Sequence, residues 1–320
     1  MKKLLKGASR EVTLVVAIVL MGVIFTLINS SFFTPRNLIN ILDQTTINGL
    51  LAVGITLAIL TGGIDLSIGA ILGMTAVLVG QWLVNGMAPL VAVLVGMVLG
   101  FSMGCLNGIL IAKLKLQPFI ATLGTCSALR GLTYIYTGGW PIMNIPENFR
   151  DLVDGDLFGW LPSALVMMVI FMAICHILLR KTKFGLYTYA LGNNESATKL
   201  SGVNVDLYKI LAYGISGMGG ALAGLVMIAR LGSAEPSAGD GYEMYAIAAA
   251  AIGGTSLAGG KGNVVATLIG AILLQTLKTG LVVVSVDPYW QRVATGAIIV
   301  IAAYFETARN QLSMMRQKHA

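Results

Sequence analysis

The chain has 320 residues, 56% of them hydrophobic and only 11% charged, with a net charge of +7. That balance excludes an ordinary soluble domain and leaves no room for a soluble domain of normal size beside its apolar runs. The positive charge is not a nucleic-acid footprint, because the basic residues lie in short stretches flanking those runs.

Ten apolar spans are expected, at 12–29, 47–62, 67–84, 89–112, 118–137, 162–180, 210–229, 244–258, 264–283 and 289–305. The first follows a basic start and imitates a secretion signal. Its run is too long for a signal core, and Asn29-Ser30-Ser31-Phe32-Phe33 offers no small-x-small cleavage site, so it reads as an uncleaved first helix. Span 47–62 is short, about 24 Å at 1.5 Å per residue, against a hydrocarbon core of about 30 Å. It ends in Thr61-Gly62-Gly63-Ile64-Asp65-Leu66-Ser67, where the glycines stop a helix and Asp65 or Ser67 can cap the next. Span 89–112 carries Gly96, Gly100, Gly104 and Gly108, a stripe that admits a close neighbour within the subunit or across a subunit interface. The connection 138–161 is acidic and aromatic, with Trp140, Phe149, Phe158 and Trp160.

The connection 181–209 contains a short helix. Asn193 or Asn194 caps it, Glu195 falls in its first turn, Ala197, Thr198, Leu200 and Ser201 follow, and Gly202 stops it. A capped helix between two spans is a docking element for a soluble partner. The alternative, lying flat on lipid, has only Ala197 and Leu200 as an apolar face. Span 244–258 is again short, and runs into Gly253-Gly254-Thr255-Ser256-Leu257-Ala258-Gly259-Gly260-Lys261-Gly262.

Crossing the membrane at each span sorts the charges. Lys113, Lys115, Arg180, Lys181, Lys183, Lys199, Lys209 and Lys261 fall on the side of both termini, and Asp43, Glu147, Asp154, Glu235, Asp240 and Glu243 on the other. Lys and Arg are retained in the cytoplasm, so both termini are expected there. The fold class is all-α, a polytopic transmembrane bundle occupying 1–320 as one transmembrane domain, with 181–209 as its cytoplasmic docking loop.

No catalytic constellation and no metal-ligand spacing is present. The run Gly254 to Lys261 fails as a phosphate-binding loop, because Gly262 stands where Ser or Thr must reach magnesium. Short, glycine-interrupted spans point to a transport path, although tight turns near the membrane surface are equally compatible. The path candidates are Asn48, Thr56, Thr61, Gly62, Gly63, Asp65, Ser67, Gly253 and Gly254, with Arg130 and Lys278 charged inside spans. The last two either bond helix carbonyls and snorkel outward, or line a water-filled cavity. Membrane-embedded acids are scarce, which argues against a proton-coupled carrier.

The stretches Asn37-Leu38-Ile39-Asn40-Ile41-Leu42, Gly54-Ile55-Thr56, Gly62 to Gly69, Phe119-Ile120-Ala121-Thr122-Leu123 with Arg130-Gly131, Ala190 to Gly202 and Gly253 to Gly262 resemble the permease subunit of ribose-type ATP-binding-cassette sugar importers. The resemblance runs nearly end to end. It implies a permease in a bacterial inner membrane, paired with a second permease subunit (a copy of this chain in a homodimer). It further implies cytoplasmic ATPase subunits carrying ATP and magnesium, a periplasmic or lipid-tethered sugar-binding protein, and a docking helix within 181–209. Other solutes for the same machine, a nucleoside or a branched amino acid, and a stand-alone channel or carrier are the alternatives.

Overall fold

A computed structural model describes residues 10–287 together with 289–291, 293–294 and 296–297. The expected span 289–305 lies for the most part outside them. The described residues are all-α apart from one short hairpin, an isolated bridge between Ile142 and Ala234 and a 3-10 turn at Ser30–Phe33. They comprise α1 (Arg10–Ile28), α2 (Pro35–Leu60), α3 (Ile68–Val84), α4 (Pro89–Ala112), α5 (Pro118–Thr137) and α6 (Glu147–Asp154), then β1 (Asp156–Leu157) and β2 (Leu161–Pro162). After the hairpin come α7 (Ser163–Lys181), α8 (Lys183–Asn193), α9 (Glu195–Leu200), α10 (Val205–Leu231), α11 (Tyr242–Gly253) and α12 (Val264–Val283).

Three helices begin at a proline whose missing N–H costs nothing in the first turn: Pro35, Pro89 and Pro118. Here α4, α5 and α12 coincide with their expected spans, and α3 and α7 fall within a residue. The expectation for 47–62 needs correction. That segment is the apolar end of α2, a helix of 26 residues, about 39 Å long. Its first turns hold Asn37, Asn40, Asp43 and Gln44, which broke the apolar run without breaking the helix, because Asp43 pairs with Arg230 of α10 at 2.8 Å. By contrast α11 is short, with 12 residues, about 18 Å. The connection 181–209 holds two helices rather than one. Asn193 is the last residue of α8, and Asn194 caps α9.

Among the described residues six helices are long and apolar enough to cross a membrane, namely α1, α2, α4, α7, α10 and α12, while α3 is a shorter apolar helix. Helices α2 and α10 form the buried centre, whereas α1, α4 and α7 turn most of their surface outward. In lipid no hydrophobic force draws helices together, so close backbone contact must do so. The stripe on α4 meets α10: a Cβ at Gly104 would collide with the Tyr213 carbonyl, and one at Gly108 would lie 2.5 Å from the Ile210 Cα. Gly220 and Gly224 of α10 face the Ile68 and Leu72 carbonyls of α3 in the same manner. These stripes are therefore used inside one chain.

The bundle has two dissimilar ends. At one, α6 lays Phe149 and Val153 into the core, and Asp154 pairs with Arg230 at 2.8 Å. Trp140, Phe158 and Trp160 are exposed there. At the other end stand α8, α9, both helix breaks and the basic residues Lys113 and Lys115, which pair with Asp206 at 3.5 and 3.2 Å.

Candidate functional site

The break after α2 is a hydrogen-bonded knot. Asp65 is fully buried and accepts from the Ser67 N–H at 3.0 Å, the Ser67 hydroxyl at 2.6 Å and the Ser216 hydroxyl of α10 at 2.8 Å. Asn107 of α4 donates to the Ser67 oxygen at 2.6 Å, and Thr122 of α5 donates to the Ile64 carbonyl at 3.1 Å. Ser67 occupies the N-cap position of α3 without a side-chain cap bond. Asp65 and Ser67 thus tie a buried turn to α10 and α4, Ile64 ties it to α5, and Thr61 satisfies its own hydroxyl on the Ala58 carbonyl at 2.7 Å.

The second break lies against the first. The Gly260 N–H donates to the Leu60 carbonyl at 3.0 Å, and a Cβ at Gly259 would stand 2.7 Å from the Gly62 Cα. Gly254 adopts φ +92°, and the guanidinium of Arg10 donates to the carbonyls of Ala251 and Ile252 at 2.9 Å. Thr56 donates to Thr267 at 3.1 Å, and Thr267 lies 3.2 Å from Thr255, so a chain of hydroxyls ties α2 to α12 and the second break.

Helix α8 connects directly to this junction, and α9 follows it. Asn193 donates to the Gly260 carbonyl at 3.1 Å, Tyr189 donates to the Gly262 carbonyl at 2.9 Å, and a Cβ at Gly192 would collide with the Leu60 carbonyl. In α9, Asn194 accepts from the Ala197 N–H at 2.9 Å, the Thr198 hydroxyl donates to the Asn194 carbonyl at 2.8 Å, and Glu195 pairs with Lys209 at 2.7 Å. Thr198 faces inward, whereas Glu195, Ala197, Ser201 and Gly202 are exposed and Leu200 is 90% exposed. Gly202 turns the chain at φ +81°.

Two cavities with polar groups in their walls flank the centre. One of about 320 Å³, beside the breaks, is lined by Thr61, Gly62, Gly63, Lys115, Gln117, Glu195, Lys209 and Tyr213. The other, of about 190 Å³ at the α6 end, is lined by Gln44, Asn48, Arg230, Tyr242, Gln275 and Lys278. The two charged candidates separate: Arg130 donates to the Ala238 carbonyl, whereas Lys278 lines a cavity together with Asn48. Sequence reasoning missed Gln44, Arg230, Tyr213, Tyr242 and Gln275. A carboxamide in an otherwise apolar span was the available signal for Gln275; Tyr213 carried none.

Over residues 37–303 the chain matches the family described as branched-chain amino acid transport system / permease component. It belongs to that family and is a multi-pass membrane permease component. It is 43% identical over 289 residues to the ribose import permease protein RbsC of Bacillus subtilis (strain 168), covering 90% of each chain. To RbsC of Escherichia coli (strain K12) it is 42% identical over 306 residues, 93% of each chain. To the D-allose transport system permease protein AlsC of Escherichia coli (strain K12) it is 37% identical over 272 residues, 85% of this chain and 83% of that one. No solved structure matches the chain.

Proposed function

We propose that the chain is the permease subunit of an ATP-driven importer that passes a ribose-like monosaccharide across the bacterial inner membrane. The observation that carries this reading is α9, a capped surface helix offering Leu200 and small residues outward while joined through Asn193 to both helix breaks. The identity to ribose and D-allose permeases supports the solute class. In this reading the chain crosses the membrane ten times, the termini and the α8–α9 end face the cytoplasm, and residues 1–320 form one permease domain. A second copy completes the path, an external sugar-binding protein delivers the solute, and cytoplasmic ATPase subunits hold ATP and magnesium.

The mechanism follows from the contacts. Leu200 is the apolar anchor in an ATPase cleft, and Asn194, Glu195, Ala197, Thr198, Ser201 and Gly202 shape the element around it. When the ATPases close, α9 moves, and Asn193 and Gly192 transmit the displacement to Gly260 and Leu60. The junction of Gly62, Gly63, Gly253 and Gly254 then shifts α2 against α11 and α12. Asn48 and Lys278 meet the solute directly, whereas Thr56, Thr61, Asp65, Ser67 and Arg130 hold the helices that border its path.

The test is co-purification. Ala197→Arg and Gly202→Asp are expected to leave the permease in the membrane at wild-type abundance, abolish recovery of the ATPase, and abolish uptake of labelled ribose. Wild-type ATPase recovery with both variants would remove the docking reading. Ribose flux in liposomes holding this chain alone would favour a channel or carrier.

A further inference from the structure

We propose that the cavity between α2, α10, α11 and α12 is a solute subsite of the permease itself, which holds one neutral polyhydroxy molecule through Asn48 and Lys278. The inference rests on the permease reading above and adds to it a place and a chemistry of recognition.

The space is about 190 Å³, the room of about six water molecules at ~30 Å³ each, which is the size class of a single sugar ring. Asn48, Gln275 and Lys278 also line a small adjoining lobe beside Tyr245 and Ala249. The Asn48 side-chain oxygen is buried and has no hydrogen-bond partner. A buried acceptor left unmet is costly, and a turn of the Asn48 side chain toward the cavity lets a solute hydroxyl supply the missing proton. Gln275 is fixed beside it, donating to Gln44 at 2.8 Å and to Thr279 at 3.2 Å. The rings of Tyr242 and Tyr245, 6.4 Å apart, offer flat apolar faces of the kind a sugar's C–H groups cover.

Charge selects among solutes. Arg230 borders the cavity, but Asp43 and Asp154 each pair with it at 2.8 Å, so its charge is already met. Lys278 forms no ion pair among the described residues, and its ammonium is free to donate to ring or hydroxyl oxygens. The lining offers no unpaired carboxylate for the ammonium of an amino acid. Carboxamides, phenols and one ammonium suit hydroxyl groups instead.

The test uses the purified full-length permease in lipid nanodiscs with D-ribose, D-allose and L-leucine as probes at tens of millimolar. Saturation-transfer NMR is expected to report both sugars on the wild type and not L-leucine. Asn48→Leu and Lys278→Met, at unchanged thermal melting, are each expected to weaken sugar binding about 3- to 10-fold, the worth of one hydrogen bond. A measurement on the wild type alone guards against misfolded variants: D-ribose should slow acetylation of Lys278, read by mass spectrometry, while leaving Lys261 unaffected. Equal sugar signals in wild type and variants, no protection of Lys278, or protection by L-leucine would each overturn the proposal. Uptake by the assembled importer separates the two readings. Sugar uptake without protection of Lys278 sinks the subsite and leaves the importer. Protection without uptake sinks the importer and leaves the subsite.

Discussion

Replacing Asp65 by Ala tests whether the first helix break is a structural knot. The carboxylate is fully buried and is the acceptor for three donors: the Ser67 N–H, the Ser67 hydroxyl and the Ser216 hydroxyl. In Asp65→Ala all three lose it where bulk water cannot replace it. Each buried donor left unmet costs about 1–3 kcal/mol, and a water entering the vacated space recovers part of that. A net loss of about 3–5 kcal/mol is expected. At roughly 2 °C per kcal/mol for a chain of this length, the melting temperature in detergent should fall by about 6–10 °C. Asp65→Asn retains one carbonyl acceptor, and the Ser216 hydroxyl can reverse to accept from the new amide, so about half the effect should remain. The assay is thermal melting followed by size-exclusion chromatography, with membrane abundance measured alongside. An Asp65→Ala protein that melts with the wild type but transports nothing would refute the structural role and return Asp65 to the solute path.

Three further outcomes follow from the same contacts. Gly104→Leu drives a side chain into the Tyr213 carbonyl at a cost of about 3 kcal/mol or more, so folded permease should disappear from membranes; normal abundance would contradict the α4–α10 contact. Asn193→Ala removes the donor to the Gly260 carbonyl while leaving α9 intact. ATPase recovery should stay at wild-type level while uptake falls, and joint loss of both would show Asn193 to be part of the docking surface. In a background lacking the three cysteines, Lys183→Cys should react only with membrane-permeant thiol reagents and Asp154→Cys with impermeant ones. Impermeant labelling at position 183 would end the ten-span topology.

Much of the bundle was legible in the chain. Prolines at the starts of α4 and α5 and the long apolar run of α12, which holds despite Gln275 and Lys278, marked those boundaries without tertiary information. A proline without an N–H, or a charged group in lipid, is penalised wherever the rest of the chain lies. The capping residues of α9 were equally plain, because a cap is satisfied within one turn. The start of α2 was hidden for the opposite reason: its polar turns look like a loop until Arg230, 187 residues away from Asp43, arrives to neutralise the acid.

Tertiary structure alone decided which of the polar residues have hydrogen-bond partners inside the bundle. Asp65, Ser67, Thr56 and Arg130 resembled path residues because each is polar and near an apolar span. Asp65, Ser67 and Thr56 are engaged by Ser216, Asn107 and Thr267, and Arg130 places one of its donors on the Ala238 carbonyl. Asn48 and Lys278 looked no different in the sequence, yet they face a cavity. Local patterning records where a helix can form, since that energy depends on near neighbours and on the bilayer. Whether a buried polar atom has a partner depends on residues brought from elsewhere in the chain, and only the folded bundle supplies them.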